Sequence, residues 1–383
     1  MTSGLRQIYT VALAALALAA CTSKVAPDMT PEESKRIGEL TARMSPRCVG
    51  RYLVDLPVAF VLNNQSRTVI EKVEIAVRPS TRVRFDAMLA TREAELSRKH
   101  MDGKPLRPFL KRIEQTPGLL GKVFNRAEQS GAAEFGRTLE LLAWRDGFEV
   151  SLQLKATDGS DLELDPSVIG TAFEASSRRI FNKYKSVNDV PEKLAHLLDI
   201  YARLRGRNDD EIPKEQGVCF ANGFLRGAPT DEERIDMYHH LDGVKDVYFT
   251  YHYFSHIGPE KTTLLQRGPA IEAGLSKVNG KTLRKGSREV NGLKFEEWLL
   301  RRESSAGAML YDHTLELNSK EGNAAKPLFT LDLTSGVEHP GPQESLEEAA
   351  TKKPIQKSTL SEAESIALWD KVTATLRPRP GAF

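Results

Sequence analysis

The chain carries little recognisable enzymatic apparatus, and each gap narrows what it can do. No Gly-x-Ser-x-Gly elbow, Ser-x-x-Lys pair or papain-like cysteine context occurs anywhere, so the familiar serine and cysteine nucleophile arrangements are missing. The glycines around Gly223 and Gly227 fit neither the Walker spacing nor the dinucleotide fingerprint, which leaves nucleotide binding unsupported. Charge of one sign is lacking too: 54 Lys and Arg stand against 52 Asp and Glu, interspersed along the chain. No basic stripe is left for a nucleic acid to follow. Carboxylates are plentiful enough for two of them to converge for acid and base work, yet nothing in their order selects a pair. The acidic cluster Asp158, Asp161, Glu163 and Asp165 misses the spacing of a calcium loop.

Long apolar runs are also scarce, with one telling exception at the start. A short segment carrying only Arg6 precedes an apolar stretch from Ile8 to Ala20, shorter and richer in small Ala than the roughly 20 residues of a membrane-spanning helix. This is a signal-peptide pattern. It ends in Leu18-Ala19-Ala20-Cys21, which looks like a lipobox, with cleavage before Cys21 and lipid attached to its thiol. Simple secretion with an ordinary thiol, or an uncleaved anchor, are the alternatives. Thr22 and not Asp follows the cysteine, which favours the outer membrane. The expectation is a periplasmic, lipid-anchored protein in which 1–20 is removed and 21–45 forms a tether and short helix.

Cysteine is rare, and in an oxidising compartment that matters. Acylation of Cys21 leaves Cys48 and Cys219. Either they pair, closing a loop whose constraint on the unfolded chain is worth on the order of 5 kcal/mol, or they are two separate buried thiols acting as small hydrophobes.

With 28% charged and 40% hydrophobic residues, the chain is globular and long enough for two cores. Thr30-Pro31-Glu32-Glu33 opens a helix as a capping box, with Ile37, Leu40 and Met44 on one face before Ser45-Pro46. Arg51 to Leu56 and Val69 to Val77 read as strands. Phe85, Met88, Leu89 and Leu96 mark a helix, and Asp146-Gly147 joins a hairpin in which Val150, Leu152 and Leu154 alternate with polar residues. Asp165-Pro166 reads as a helix cap, followed by an apolar stripe of Ile169, Phe173, Ile180 and Tyr184 and a second of Leu194, Leu197, Leu198 and Tyr201. The aperiodic stretch Arg205 to Lys214 separates an N-terminal domain, 46–208, from a C-terminal one, 209–383. In the latter, Thr230-Asp231-Glu232-Glu233 suggests a helix through Leu241. Val247 to Phe254 suggests a strand, and Met309 to Leu317 pairs with Leu328 to Leu333. Glu338 to Ser358 reads as a linker, and a last helix starts at Ser361. Strands and helices without regular alternation make each half α+β.

Four histidines, His239, His240, His252 and His256, invite a metal reading. The run from Tyr248 to Phe254 is aromatic and β-branched, favouring a strand on which His252 and His256 would stand roughly 13 Å apart. That is too far to share an ion, so no metal and no cofactor is expected. The bland reading is a polar and aromatic sheet face. The sharper one is a binding surface.

Two cysteine-led segments, Arg47-Cys48-Val49-Gly50-Arg51-Tyr52-Leu53-Val54-Asp55-Leu56-Pro57 and Gly217-Val218-Cys219-Phe220-Ala221-Asn222-Gly223-Phe224-Leu225-Arg226-Gly227, each open one half. With the lipobox, this pattern resembles the immunity lipoproteins that protect bacteria from type VI secretion phospholipase effectors, specifically the family cognate to the fourth lipase class. The resemblance implies a non-enzymatic periplasmic inhibitor whose two α+β domains form a claw with an interdomain cleft. Its partner would be a cognate secreted phospholipase, blocked at its catalytic serine or lid. The cleft rim, including Tyr251, Tyr253 and His256, is the expected contact. The rival from another class is a structural or assembly lipoprotein of the envelope.

Overall fold

The computed structural model describes residues 27–383 apart from 64, 103–105, 257–261, 305–306 and 339–354. Cys21, the signal peptide and most of the Glu338 to Ser358 segment lie outside the described residues. The first half comprises α1 (Pro31–Leu40), β1 (Met44–Val49), β2 (Tyr52–Pro57), β3 (Phe60–Leu62), β4 (Arg67–Ile70), β5 (Val73–Pro79), α2 (Arg82–Arg98), β6 (Leu110–Glu114), β7 (Gly121–Ala127), β8 (Gly136–Arg145), β9 (Phe148–Thr157), α3 (Glu174–Tyr184), α4 (Val190–Arg203) and β10 (Leu204–Gly206). The second comprises β11 (Gly217–Phe220), β12 (Gly223–Arg226), β13 (Glu233–Leu241), β14 (Val247–Phe254), α5 (Gly268–Ser276), β15 (Lys281–Val290), β16 (Leu293–Glu303), β17 (Met309–Leu317), β18 (Leu328–Ser335), α6 (Glu362–Thr373) and β19 (Arg377–Pro378).

Local chemistry accounts for most of these boundaries. Thr30 and Glu33 exchange the two hydrogen bonds of a capping box at α1, and Ser361 and Glu364 do the same at α6, satisfying backbone donors that a helix start leaves free. The β8–β9 hairpin turns at Asp146 and Gly147, both with positive φ (51° and 87°), the conformation a two-residue turn requires. Glu71 and Lys72 turn in the same way (50° and 69°), so the single strand expected from Val69 to Val77 is the β4–β5 hairpin. The leading helix stops at Leu40, and Met44, Ser45 and Pro46 belong to β1.

Beyond Thr230 the structure replaces an expected helix with a strand. The Glu233 carboxylate does reach back to the Thr230 N–H (3.2 Å), as in a capping box. Its backbone N–H, however, donates to Ser255 Oγ (2.8 Å), and the chain continues as β13 between β14 and β4. Burial with period two at Ile235, Met237 and His239 outweighs the local cap signal.

The strands order as β15-β16-β17-β18-β14-β13-β4-β5-β9-β8-β7-β6 in one sheet, with β3 added against β13. Adjacent pairs in this order are antiparallel. The sheet therefore runs through both halves, joined where β13 meets β3 and β4. One face carries the main core, where Val150, Leu152, Ile235, Phe249, Leu331 and Leu315 pack with Leu197 and Ile200 of α4 and with Ile366 and Trp369 of α6. Two small sheets, β1-β2-β19 and β10-β12-β11, are tied by the Cys48–Cys219 disulfide, whose Cα atoms lie 5.7 Å apart. The Arg207 guanidinium is buried beside it, donating to the carbonyls of Cys48, Phe220 and Gly223.

Candidate functional site: the open face of the sheet

Cross-strand partners in a sheet share a face, and two rows of such partners trace the face opposite the main core. In the second half the row is Lys285, Trp298, Thr314, Asp332, Thr250 and Tyr238. From Arg234, four residues before Tyr238 on β13, a second row runs through Val69, Glu74, Gln153 and Glu140 to Phe124. Both ends are covered. Over Trp298 sits the start of α5, with Lys285 paired to Glu272 at 2.5 Å. Over Phe124 sits α2, which buries Phe85 and Leu96 in a smaller cluster and ties Arg92 to Glu140 at 2.8 Å. Between the two helices the floor is polar and aromatic, and it crosses the β4–β13 seam.

Two concavities lie on this floor. One, of about 340 Å³, is lined by Tyr238, Tyr248, His252, Asp312, Thr314 and Asp332 among others. The other, of about 450 Å³, lies across the seam and includes Arg67, Val69, Glu74, Arg126, Gln153 and Lys193. The charges of the first are tightly organised: His252 Nδ1 meets Asp236 Oδ1 at 2.5 Å, Thr314 donates to Asp332 at 2.5 Å, and Arg302 meets Asp312 at 2.9 Å. Burial pushes the Asp332 carboxyl up to about 6, and neighbouring Asp312 and Glu316 add to the rise. Burial alone would lower His252, but its hydrogen bond to Asp236 and the charge of Asp332 outweigh that and raise it. Such a floor offers hydrogen-bonding groups, half-buried rings and paired charges, the makings of a protein-binding surface.

The expected contact residues divide according to strand period. Tyr251 and Tyr253 are fully buried, which corrects their assignment to a contact surface. Tyr253 Oη donates to Glu233 (3.0 Å), itself paired with Arg51 at 2.5 Å, and Tyr251 lies edge-on to His239 with centroids 5.5 Å apart. Tyr248, His252 and Phe254, at the alternate positions, face the open side. His256 follows the end of β14 and is exposed. The α5 cover and the long β15–β16 hairpin escaped sequence reasoning, although Asn291-Gly292, with φ of 49° and 78°, is a strong hairpin signal.

The stripe of Ile169, Phe173 and Ile180 does not enter the core: these residues are 54%, 70% and 48% exposed. Only Tyr184 of that set packs inward, stacked on Phe135 with centroids 3.9 Å apart.

Two family models match the chain in tandem, the Tle cognate immunity protein 4 N-terminal domain over residues 45–207 and the C-terminal domain over 211–381. No curated protein matches it. Among solved structures, the apo structure of immunity protein TplEi of T6SS from Pseudomonas aeruginosa aligns at 20% identity with a TM-score of 0.58, covering 88% of this chain and 98% of that one. The crystal structure of the Tle4-Tli4 complex aligns with a TM-score of 0.60 at the same identity and coverage. These two likenesses show a shared fold.

Proposed function

We propose a function from one premise: the chain belongs to the Tle cognate immunity protein 4 family, whose two domain models follow each other along it. The protein is read as a periplasmic immunity protein that binds a cognate type VI secretion phospholipase effector and inhibits it, without catalysis of its own. The tandem of domain models is the observation that carries this reading, and the fold shared with a protein described as part of a Tle4-Tli4 complex supports it. The effector seats on the open face, with α2 and α5 as the two jaws of a claw, and loses access to its catalytic serine or lid. Cleavage before Cys21 and lipidation of that residue hold the inhibitor at the outer membrane, beside the lipids the effector attacks.

The test is co-expression, directed to the periplasm, with the lipase encoded beside this chain. Growth should be restored and the two proteins should co-purify. Unchanged toxicity with no co-purification overturns the reading. Loss of labelled palmitate incorporation in Cys21→Ser checks the anchor separately.

A further inference from the structure

Among the described α-helices, α3 alone buries no residue. It is held by the Tyr184 stack and by Lys185, whose Nζ donates to the Leu162 carbonyl at 2.7 Å. Its outer side shows Phe173 and Ile180, and Ile169 stands just ahead of it, all largely exposed. Charge flanks this apolar edge unequally: between Ile169 and Lys185 the basic residues Arg178, Arg179, Lys183 and Lys185 face only Glu174. Arg178 takes up Glu174 at 2.7 Å. Arg179 and Lys183 form no ion pair among the described residues. Of the nearby acids, Asp158 and Asp161 are engaged by Lys111 (2.7 and 2.6 Å) and Asp165 by the Ser167 N–H (2.8 Å), while the exposed Glu163 forms no ion pair among the described residues.

An exposed phenylalanine and two isoleucines beside uncompensated arginine and lysine match a helix that lies in a bilayer interface. Apolar side chains enter the acyl boundary there, and cations meet anionic headgroups. A protein partner would use the apolar edge but has no need of the positive excess.

We infer that the Ile169 to Lys185 segment is a second membrane contact, docking on an anionic lipid surface. Its role in the cell rests on the lipid-anchor reading, but the contact itself is measurable without the lipid. The chain from Thr22 onward keeps every described residue. In co-sedimentation at low salt it should bind phosphatidylethanolamine vesicles containing phosphatidylglycerol roughly tenfold better than phosphatidylcholine vesicles. Phe173→Ser with Ile180→Ser should abolish binding at an unchanged melting temperature, and Arg179→Glu with Lys183→Glu should remove the preference for phosphatidylglycerol. Equal sedimentation with both vesicles, or undiminished binding by the serine variant, overturns the inference. So does a serine variant that loses lipase capture while vesicle binding persists, since the stripe would then belong to the effector. No lipase enters the vesicle assay, so its failure leaves the immunity reading standing.

Discussion

At Tyr253 the hydroxyl, the Glu233 carboxylate and the Arg51 guanidinium form a buried chain, the last two only 1% exposed. Removing the cation leaves Glu233 charged without water or counter-ion, which outweighs any gain in apolar packing. Arg51→Met is therefore expected to lower stability by about 3–5 kcal/mol in urea denaturation. Tyr251 presents the opposite case, because its buried hydroxyl has no hydrogen-bond partner among the described residues. Tyr251→Phe removes an unsatisfied group and should stabilise by about 1 kcal/mol. Two further residues set a pH dependence of opposed sign. Burial drives His313 down to about 4, below its unfolded value, so the stability it contributes above about pH 6.5 is lost as pH falls toward 4, roughly 3 kcal/mol in all. Asp332, pushed up to about 6, favours the neutral form; its contribution is full below its unfolded value near pH 4 and is lost as pH rises through 6. Asp332→Asn, which keeps an oxygen for Thr314, should raise the melting temperature near neutrality and leave it unchanged near pH 4. A rise of equal size at both would exclude this origin.

At the scale of elements, legibility follows how local the deciding force is. The capping box at α1, the Asp146-Gly147 turn and the alternation of Val150, Leu152 and Leu154 are local, and the structure keeps them. The Thr230 to Glu233 signal is equally local, but β14 and β4 supply backbone partners from far along the chain and β13 forms instead. On β14 the strand was legible and its facing was not: with aromatics or histidine at nearly every position, only the neighbours decide which set turns inward. The binding consequence is testable at that face. Tyr248→Ala with His252→Ala, on the open side, should weaken lipase capture at least tenfold with little change in melting temperature. Tyr251→Phe, on the buried side, should leave capture untouched. The reverse pattern would move the effector off this face.

For the whole molecule, the boundary expected near residue 208 divides the chain but not the sheet. β3 and β4 pair with β13, β19 returns from the C-terminus to pair with β2, and Cys48 bonds Cys219. The disulfide closes a separation of 171 residues, so its loss costs up to about 5 kcal/mol through the unfolded chain. Cys48→Ser with Cys219→Ser should lower the melting temperature while capture of the lipase persists at moderate temperature, because the sheet itself still joins the halves. Separating the halves is more severe. Expressed alone, 27–208 would expose the unpaired edges of β3 and β4 and 209–383 the edge of β13, long rows of free backbone donors and acceptors that recruit other chains. Each piece is expected to aggregate, and the intact protein to melt in a single calorimetric transition. Two resolved transitions, or a soluble and folded isolated half, would show that the seam is a docking contact between independent domains. A single transition would instead mean that α2 and α5 are set at a fixed spacing by one sheet, so that the proposed effector would meet a surface already arranged, with little ordering left to do on binding.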